Sequence, residues 1–139
     1  MESTVKWAGG LTFIGTSGTG HSIVFGNPHD GGPRPGPSPM ELMLIGAGGC
    51  STYDVVSILK KGRQRIEDCV VTLSGERAET DPKVFVKVHM DFTVSGRALD
   101  AKKVERAISL SVEKYCSASA ILAATAELSH GFSIVDTSA

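Results

Sequence analysis

The stretch SPMELMLIGAGGCSTYDVV, residues 38–56, decides the fold of this chain. It opens with the residues of a helix start: Ser38 is a good N-cap, Pro39 suits the first helical position, and Glu41 completes a capping box with Ser38. Residues 42–50 then carry no charge. A segment that is apolar on nearly every side predicts a long central helix that is buried rather than lying on a surface.

Three glycines, Gly46, Gly48 and Gly49, lie inside this predicted helix. Each destabilises a helix by ~1 kcal/mol relative to alanine, so their use indicates that another backbone approaches closely. Cys50 follows them, at the middle of the helix. The helix is predicted to end near Lys61, where cationic side chains complement the helix dipole.

The composition describes an ordinary globular chain. With 139 residues, 41% of them hydrophobic and 21% charged, residues 1–139 are expected to form one domain. The net charge of −1 and the lack of a basic run argue against nucleic acid or an anionic membrane as a partner. No uninterrupted apolar run approaches ~18 residues, and no signal peptide is apparent, so a cytoplasmic location without a membrane span is predicted.

Short segments on both sides of the helix alternate between apolar and polar residues and predict strands. Asp100 is expected to cap a second helix, whose apolar stripe ends at Tyr115, and Ser117 to cap a short third helix. Residues 26–37, rich in Gly and Pro, are predicted to form an irregular loop. The predicted strands are residues 5–7, 11–14, 21–25, 66–74, 84–94 and 132–135, with 66–74 and 84–94 paired as a hairpin. The fold class is therefore α+β.

Alternation within the hairpin also predicts which side chains face inward. On the second strand these are Val84, Val86, Val88, Met90, Phe92 and Val94. On the first strand Cys69 is placed among inward-facing apolar residues, which favours a structural thiol.

The three cysteines, Cys50, Cys69 and Cys116, form neither a disulfide framework nor a zinc motif. The four histidines are scattered, so no metal site is expected. Asp54 one turn after Cys50, together with apolar surroundings, would raise the pKa of the Cys50 thiol. Cys116 precedes a predicted helix start and follows Lys114, and both features favour a thiolate. A disulfide between Cys50 and Cys116 requires that their segments meet, which periodicity alone does not establish.

Three motifs stand out in the order of elements: SPMEL at the start of the central helix, GGCS within it and EKYCS at the end of the second helix. This order of elements and motifs resembles the osmotically inducible protein C / organic hydroperoxide resistance (OsmC/Ohr) family over essentially the whole chain. This resemblance implies an intertwined homodimer whose central helices pack together. It also implies a thiol peroxidase that reduces organic hydroperoxides in oxidative-stress defence. Cys50 matches the cysteine that attacks the peroxide, and Cys116 matches the cysteine that resolves the sulfenic acid into a disulfide.

The family holds an activating arginine with a glutamate directly after the proline of the central helix. Met40 occupies that position here, and the acid follows at Glu41. Arg34, in the proline-rich loop, and Lys6 are the candidate cations. No metal, flavin or haem is expected, and an external dithiol is expected to reduce the disulfide. Two alternatives remain open: a protein of the same fold that binds a small hydrophobic ligand without turnover, and a redox sensor.

Overall fold

The computed structural model describes residues 1–139 and contains two three-stranded sheets and three α-helices. The chain divides into two compact units, Met1–Met43 and Leu44–Ala139. The predicted α+β class is confirmed. The strands are β1 Ser3–Trp7, β2 Thr12–Ser17, β3 Ser22–Gly26, β4 Arg65–Arg77, β5 Phe85–Arg97 and β6 Glu127–Asp136; the helices are α1 Pro39–Lys61, α2 Ala101–Leu110 and α3 Ser117–Ala123, with a π-helical turn at Ser111–Tyr115.

The first unit holds an antiparallel sheet in the order β1-β2-β3, formed by the three segments that were predicted to be strands. Phe13 of β2 lies opposite Phe25 of β3, and their rings stack with centroids 5.8 Å apart. The sheet buries little else, since every residue of β1 is exposed. Within this unit the sheet therefore has apolar side chains, such as Trp7 and Ile23, that face solvent.

The second unit holds a sheet in the order β4-β5-β6. The predicted hairpin is confirmed, because β4 pairs antiparallel with β5 from Arg65↔Arg97 onward. By contrast, β6 runs parallel to β5, so α2, the π turn and α3 form the crossover connection that a parallel pair requires. The central strand β5 supplies much of the core, with Val88, Met90, Phe92 and Val94 all at most 1% exposed.

The inward face of β5 differs from the prediction at its start. Phe85 is buried and Val86 is exposed, whereas strict alternation placed Val86 inside. The ladder shifts register between Glu76 and Arg77, which lies opposite Phe85. A bulge of this kind reverses the side to which the following side chains point, so the alternation is in phase only from Val88 onward.

The end of α2 also differs from the prediction. The backbone N–H of Cys116 donates to the carbonyl of Ser111 at 2.7 Å, which closes a π turn rather than an α turn. The wider turn leaves Tyr115 exposed, although the helical stripe placed it inward, and buries Cys116. The N-cap of α3 is Cys116, not Ser117, and the Cys116 sulfur accepts the Ser119 N–H at 3.3 Å.

Helix α1 is buried along one stripe only: Ala47, Gly48, Ser51, Val55 and Leu59. The prediction of burial on nearly every side is confirmed for that face and is wrong for the opposite face of the single chain. On the other face Ile45 is 59% and Tyr53 74% exposed in the single chain. By length and composition α1 could cross a membrane, with a mean hydropathy of 1.5 over its most apolar window. The core helix of a water-soluble protein meets the same criteria, so the prediction of no membrane span stays a prediction.

Candidate thiol site in the second unit

Cys50, Asp54 and Cys116 form a cluster whose two sulfur atoms and a carboxylate oxygen all lie within 4.8 Å of one another. None of the three cysteines of the chain is joined in a disulfide. Cys116 is 3% exposed, while Cys50 and Asp54 are partly exposed. The contact that periodicity could not establish, between the Cys50 helix and the Cys116 segment, is thus present.

Two local structures bring these side chains together. Cys50 and Asp54 are four residues apart in α1, which places them on the same side of the helix. Cys116 is turned inward by the π turn, and its thiol lies 3.9 Å from the carbonyl of Ala47, also in α1. π turns inserted into α-helices occur frequently at functional sites, where they redirect a side chain.

Three fully buried serines surround the cluster. The Ser111 hydroxyl lies 3.1 Å from both the Ser51 carbonyl and an Asp54 carboxylate oxygen, and can donate to either. The Ser51 and Ser119 hydroxyls are 3.4 Å apart. Ser51 also donates to the sulfur of Met90 at 3.7 Å. Each serine is 0% exposed, so these hydrogen bonds satisfy hydroxyls that would otherwise be costly to bury.

The environment shifts the pKa values of the Cys50 and Cys116 thiols in opposite directions. Burial raises the pKa of Cys50; an Ala118 backbone hydrogen bond opposes this, while Cys116 and the Asp54 charge add to the increase. For Cys116 burial also acts upward, but hydrogen bonds from Ser119, Ser51 and Cys50 outweigh it and lower the pKa. The sequence argument that Cys116 is the more acidic thiol agrees with this result. No positive charge contributes to the Cys50 shift.

The other two predicted site residues also meet, in the first unit. Arg34 Nη1 lies 3.2 Å from Glu41 Oε1, with both side chains about half exposed. Glu41 accepts the Ser38 N–H at 3.0 Å, and the Glu41 N–H donates to the Ser38 hydroxyl at 3.1 Å. The capping box is confirmed. These Ser38 hydrogen bonds, and to a smaller extent the Arg34 charge, lower the pKa of Glu41.

Cys69 stands apart from the cluster, half-buried on β4, and burial together with the Asp68 charge raises the pKa of its thiol. The histidines take no part in the three-ligand cluster. Sequence reasoning treated Asp54 only as a charge that disfavours a Cys50 thiolate, and it missed the role of Ser111 entirely. The spacing of Asp54 from Cys50 was a usable signal for a shared site, but nothing in the sequence around Ser111 indicated its contact.

An open cavity of about 600 Å³ lies beside Cys116 in the second unit. Apolar residues from the π turn, α3 and β6 form part of its wall. Charged side chains of both signs complete the lining. The lining includes Val112, Glu113, Lys114, Cys116, Ala123 and His130. Its volume is in the range of small-molecule sites.

Residues 29–130 match the family model described as OsmC-like protein, and the chain belongs to that family. It is 47% identical over 136 residues to Protein YhfA of Escherichia coli strain K12, covering 97% of this chain and 98% of that protein. The OsmC-like protein from Mycoplasma pneumoniae matches with a TM-score of 0.82 and 12% identity, covering 96% of each chain. The organic hydroperoxide resistance protein OhrB of Bacillus subtilis matches with a TM-score of 0.63 and 19% identity, covering 96% of this chain and 98% of that one. Below 25% identity these two structures establish the shared fold alone.

Proposed function

We propose that this protein is a thiol peroxidase that reduces organic hydroperoxides through Cys50 and Cys116. The observation that carries the proposal is the approach of the two sulfur atoms to within 4.8 Å in the reduced chain. A disulfide requires an S–S distance of ~2.05 Å, so the two sulfur atoms must move closer together before the bond forms. Membership of the OsmC family and the likeness in fold to OhrB, an organic hydroperoxide resistance protein, support a peroxide-related stress role.

The proposed cycle has two steps on the protein. In the first, the Cys50 thiolate attacks one peroxide oxygen: the S–O bond forms, the O–O bond breaks, and the departing alkoxide takes a proton to leave as an alcohol. Cys50 is oxidised by two electrons to sulfenic acid. In the second, the Cys116 thiolate attacks the Cys50 sulfur, a disulfide forms, and hydroxide leaves and is protonated to water. An external dithiol then reduces the disulfide by exchange.

The attacking role of Cys50 requires a positively charged group that stabilises its thiolate, because burial and neighbouring negative charge raise the pKa of Cys50. Arg34 and Glu41 are proposed as substitutes for the family's activating pair, because Met40 occupies the position of the family glutamate. Their ion pair at 3.2 Å is the arrangement in which a glutamate would hold the arginine. An Arg34→Gln variant tests this role: slower oxidation of Cys50 with an unchanged fold supports it, and an unchanged oxidation rate contradicts it.

The proposed activity is tested by treating the reduced protein with cumene hydroperoxide or hydrogen peroxide and measuring intact mass. Disulfide formation lowers the mass by ~2 Da. Cys50→Ser is expected to abolish the reaction, Cys116→Ser to stop at a sulfenic acid that dimedone traps, and Cys69→Ser to react like the unmodified chain. If neither peroxide oxidises Cys50 in the reduced protein, the peroxidase proposal is wrong.

A second candidate is a non-catalytic protein of the same fold that binds a small hydrophobic ligand. The raised pKa of Cys50 and the cavity of about 600 Å³ beside Cys116 favour it. Native mass spectrometry of the purified protein distinguishes the two. A ligand retained equally by the unmodified chain and by the Cys50→Ser and Cys116→Ser variants, with no peroxide reaction, supports binding over turnover.

The proposal includes a homodimer and a cytoplasmic location. The exposed face of α1, with Ile45, Gly46, Gly49 and Tyr53, is the proposed contact between the two copies. A Cβ atom added to Gly46 or Gly49 would meet nothing within 4 Å in the single chain, so packing within the chain does not require glycine at either position. Such small residues let two helix backbones approach closely.

A further inference from the structure

The Cys50–Asp54–Cys116 cluster has the geometry of a metal site as well as that of a thiol pair. Its three donor atoms lie within 4.8 Å of one another. Zinc binds thiolate sulfur at ~2.3 Å and carboxylate oxygen at ~2.0–2.2 Å in tetrahedral geometry, which places neighbouring donor atoms on the order of 3.5–4 Å apart. The separations in the cluster, at most 4.8 Å, are therefore close to those that an ion requires.

We propose that the reduced protein binds one Zn²⁺ ion through the sulfur atoms of Cys50 and Cys116 and a carboxylate oxygen of Asp54. Two thiolates and one carboxylate suit zinc among the common divalent ions, because Mg²⁺ and Ca²⁺ prefer all-oxygen sites. Three protein ligands leave the fourth tetrahedral position open for water. The proposal goes beyond the peroxide cycle, which uses the two thiols and assigns no role to Asp54.

The surroundings of the cluster hold these donors in place. The Ser111 hydroxyl lies 3.1 Å from the Asp54 carboxylate, and Ser111 is itself 0% exposed. Hydrogen bonds of this type, from a buried group to a ligating carboxylate, orient the ligand in known metal sites. The Ser119 backbone N–H reaches the Cys116 sulfur at 3.3 Å, which fixes the direction of the second donor. Cys50 and Asp54 are fixed by their shared helix.

The charges of the cluster also favour a cation. Two thiols and a carboxylate within 4.8 Å carry as many as three negative charges, and no ion pair connects Asp54 to a Lys or Arg. A divalent cation neutralises most of this charge in a partly dehydrated position. When zinc binds, each thiol releases its proton to the solvent and no electron is transferred. Oxidation of the pair to a disulfide removes two of the three donors, so binding is restricted to the reduced protein.

The test is a titration of the reduced protein with Zn²⁺ against a chromogenic chelator, under anaerobic conditions, with Co²⁺ as a spectroscopic probe of thiolate ligation. The expected result is one ion per chain and a sulfur-to-cobalt charge-transfer band. Asp54→Asn is expected to weaken binding by at least about tenfold, and Ser111→Ala by about tenfold, the range for a residue that orients a ligand. Cys50→Ser and Cys116→Ser are expected to remove the charge-transfer band or halve it.

Cys69→Ser is the matched control, since it removes a thiol outside the cluster and should leave the titration unchanged. The unmodified chain oxidised with diamide provides a comparison that needs no substitution, and it should bind no zinc at this site. Equal binding by the reduced and oxidised chains, or unchanged binding in Asp54→Asn, overturns the proposal. Because no hydroperoxide is used, the metal proposal can fail while the peroxidase proposal stands, and the reverse is also true.

Discussion

The two faces of α1 differ in what this chain supplies to cover them. One face, with Ala47, Ser51, Val55 and Leu59, is buried to 1% exposure or less by the second unit. The other face exposes Ile45 and Tyr53. Both faces contain glycine, and the reason for the glycine differs between them. A Cβ on Gly48 would lie 2.7 Å from the Leu73 side chain, whereas a Cβ on Gly49 would meet nothing.

This difference distinguishes glycines that are required by packing within the chain from glycines that packing within the chain does not explain. Gly48 is explained by intramolecular packing against β4, because a side chain there would displace Leu73. Gly49 is not explained by packing within the chain. Replacing glycine with alanine on the surface of a helix normally stabilises the helix, so glycine at this position needs another explanation. The retention of glycine on the open face is accounted for by the proposed homodimer, in which a second helix occupies that space.

The largest expected effect is on the packed face. Leu59→Ala is expected to lower the free energy of unfolding by about 2–5 kcal/mol, because it removes buried methyl groups and leaves a cavity. Chemical denaturation measures the loss. Ile45→Ala is the control on the open face, and in dilute protein it should change the free energy of unfolding by no more than about 0.5 kcal/mol. Equal losses in both variants would contradict the distinction between the two faces.

Gly49→Ala distinguishes a solvated face from an interface by the sign of its effect. If a second helix packs there, the added methyl group should raise the dimer dissociation constant at least about tenfold, or ~1.4 kcal/mol. Analytical ultracentrifugation over a concentration series measures the constant. The opposite result is greater thermal stability at every concentration without any change in association, and it would show that the face is solvated.

A smaller effect is expected at the helix start, which precedes both faces. Ser38→Ala removes the hydroxyl that accepts the Glu41 N–H at 3.1 Å. The loss of an N-cap typically costs about 1 kcal/mol, and the melting temperature of the protein should fall accordingly. Ser38→Asn, which preserves a capping oxygen, is the matched control and should restore most of the stability. A fall of the same size in both variants would mean that capping is not the cause.

The smallest expected effect is the pH dependence of stability that Glu41 contributes at the start of α1. Hydrogen bonds from Ser38, followed by the Arg34 charge, lower the pKa of Glu41 below its ordinary value of 4.5. A depressed carboxyl pKa contributes stability that is present above the unfolded pKa and is lost as the pH falls through the folded pKa. NMR titration of the Glu41 carboxyl carbon should therefore give a midpoint below 4.5, and Ser38→Ala should move it upward. A midpoint at or above 4.5 in the unmodified chain would refute the assignment.

Much of the fold could be predicted because it follows from local patterns. The capping box at Ser38 and Glu41, the hairpin of β4 and β5, and the class of the sheet-and-helix arrangement are all encoded within short segments. The parallel pairing of β6 with β5 was not predicted, because the direction of β6 depends on the path of the connecting helices across the sheet. The inward burial of Phe85 was missed as well, since a bulge is a property of two paired strands rather than of one sequence.

The site was predictable in part. Cys50 and Cys116 were identified from sequence, and their proximity follows from the π turn, which no helical periodicity reveals because it adds one residue to a turn. That same turn explains why Tyr115 is exposed, against expectation. Ser111 lies within the segment that the sequence predicted as the second helix, with no sign of a role in the site. Its contact with Asp54 joins residues 57 positions apart, and such a contact is determined by tertiary packing.

The sulfur of Cys116 also serves as the N-cap of α3, by accepting the Ser119 N–H. A disulfide sulfur is a weaker acceptor than a thiolate, so formation of the proposed disulfide would weaken this cap of α3. The Ser119 amide is then expected to exchange its hydrogen with solvent faster in the oxidised protein than in the reduced one. Ala120 and Ala123 of α3 line the cavity beside Cys116, so a change in the bonding of this sulfur would reach one wall of that cavity.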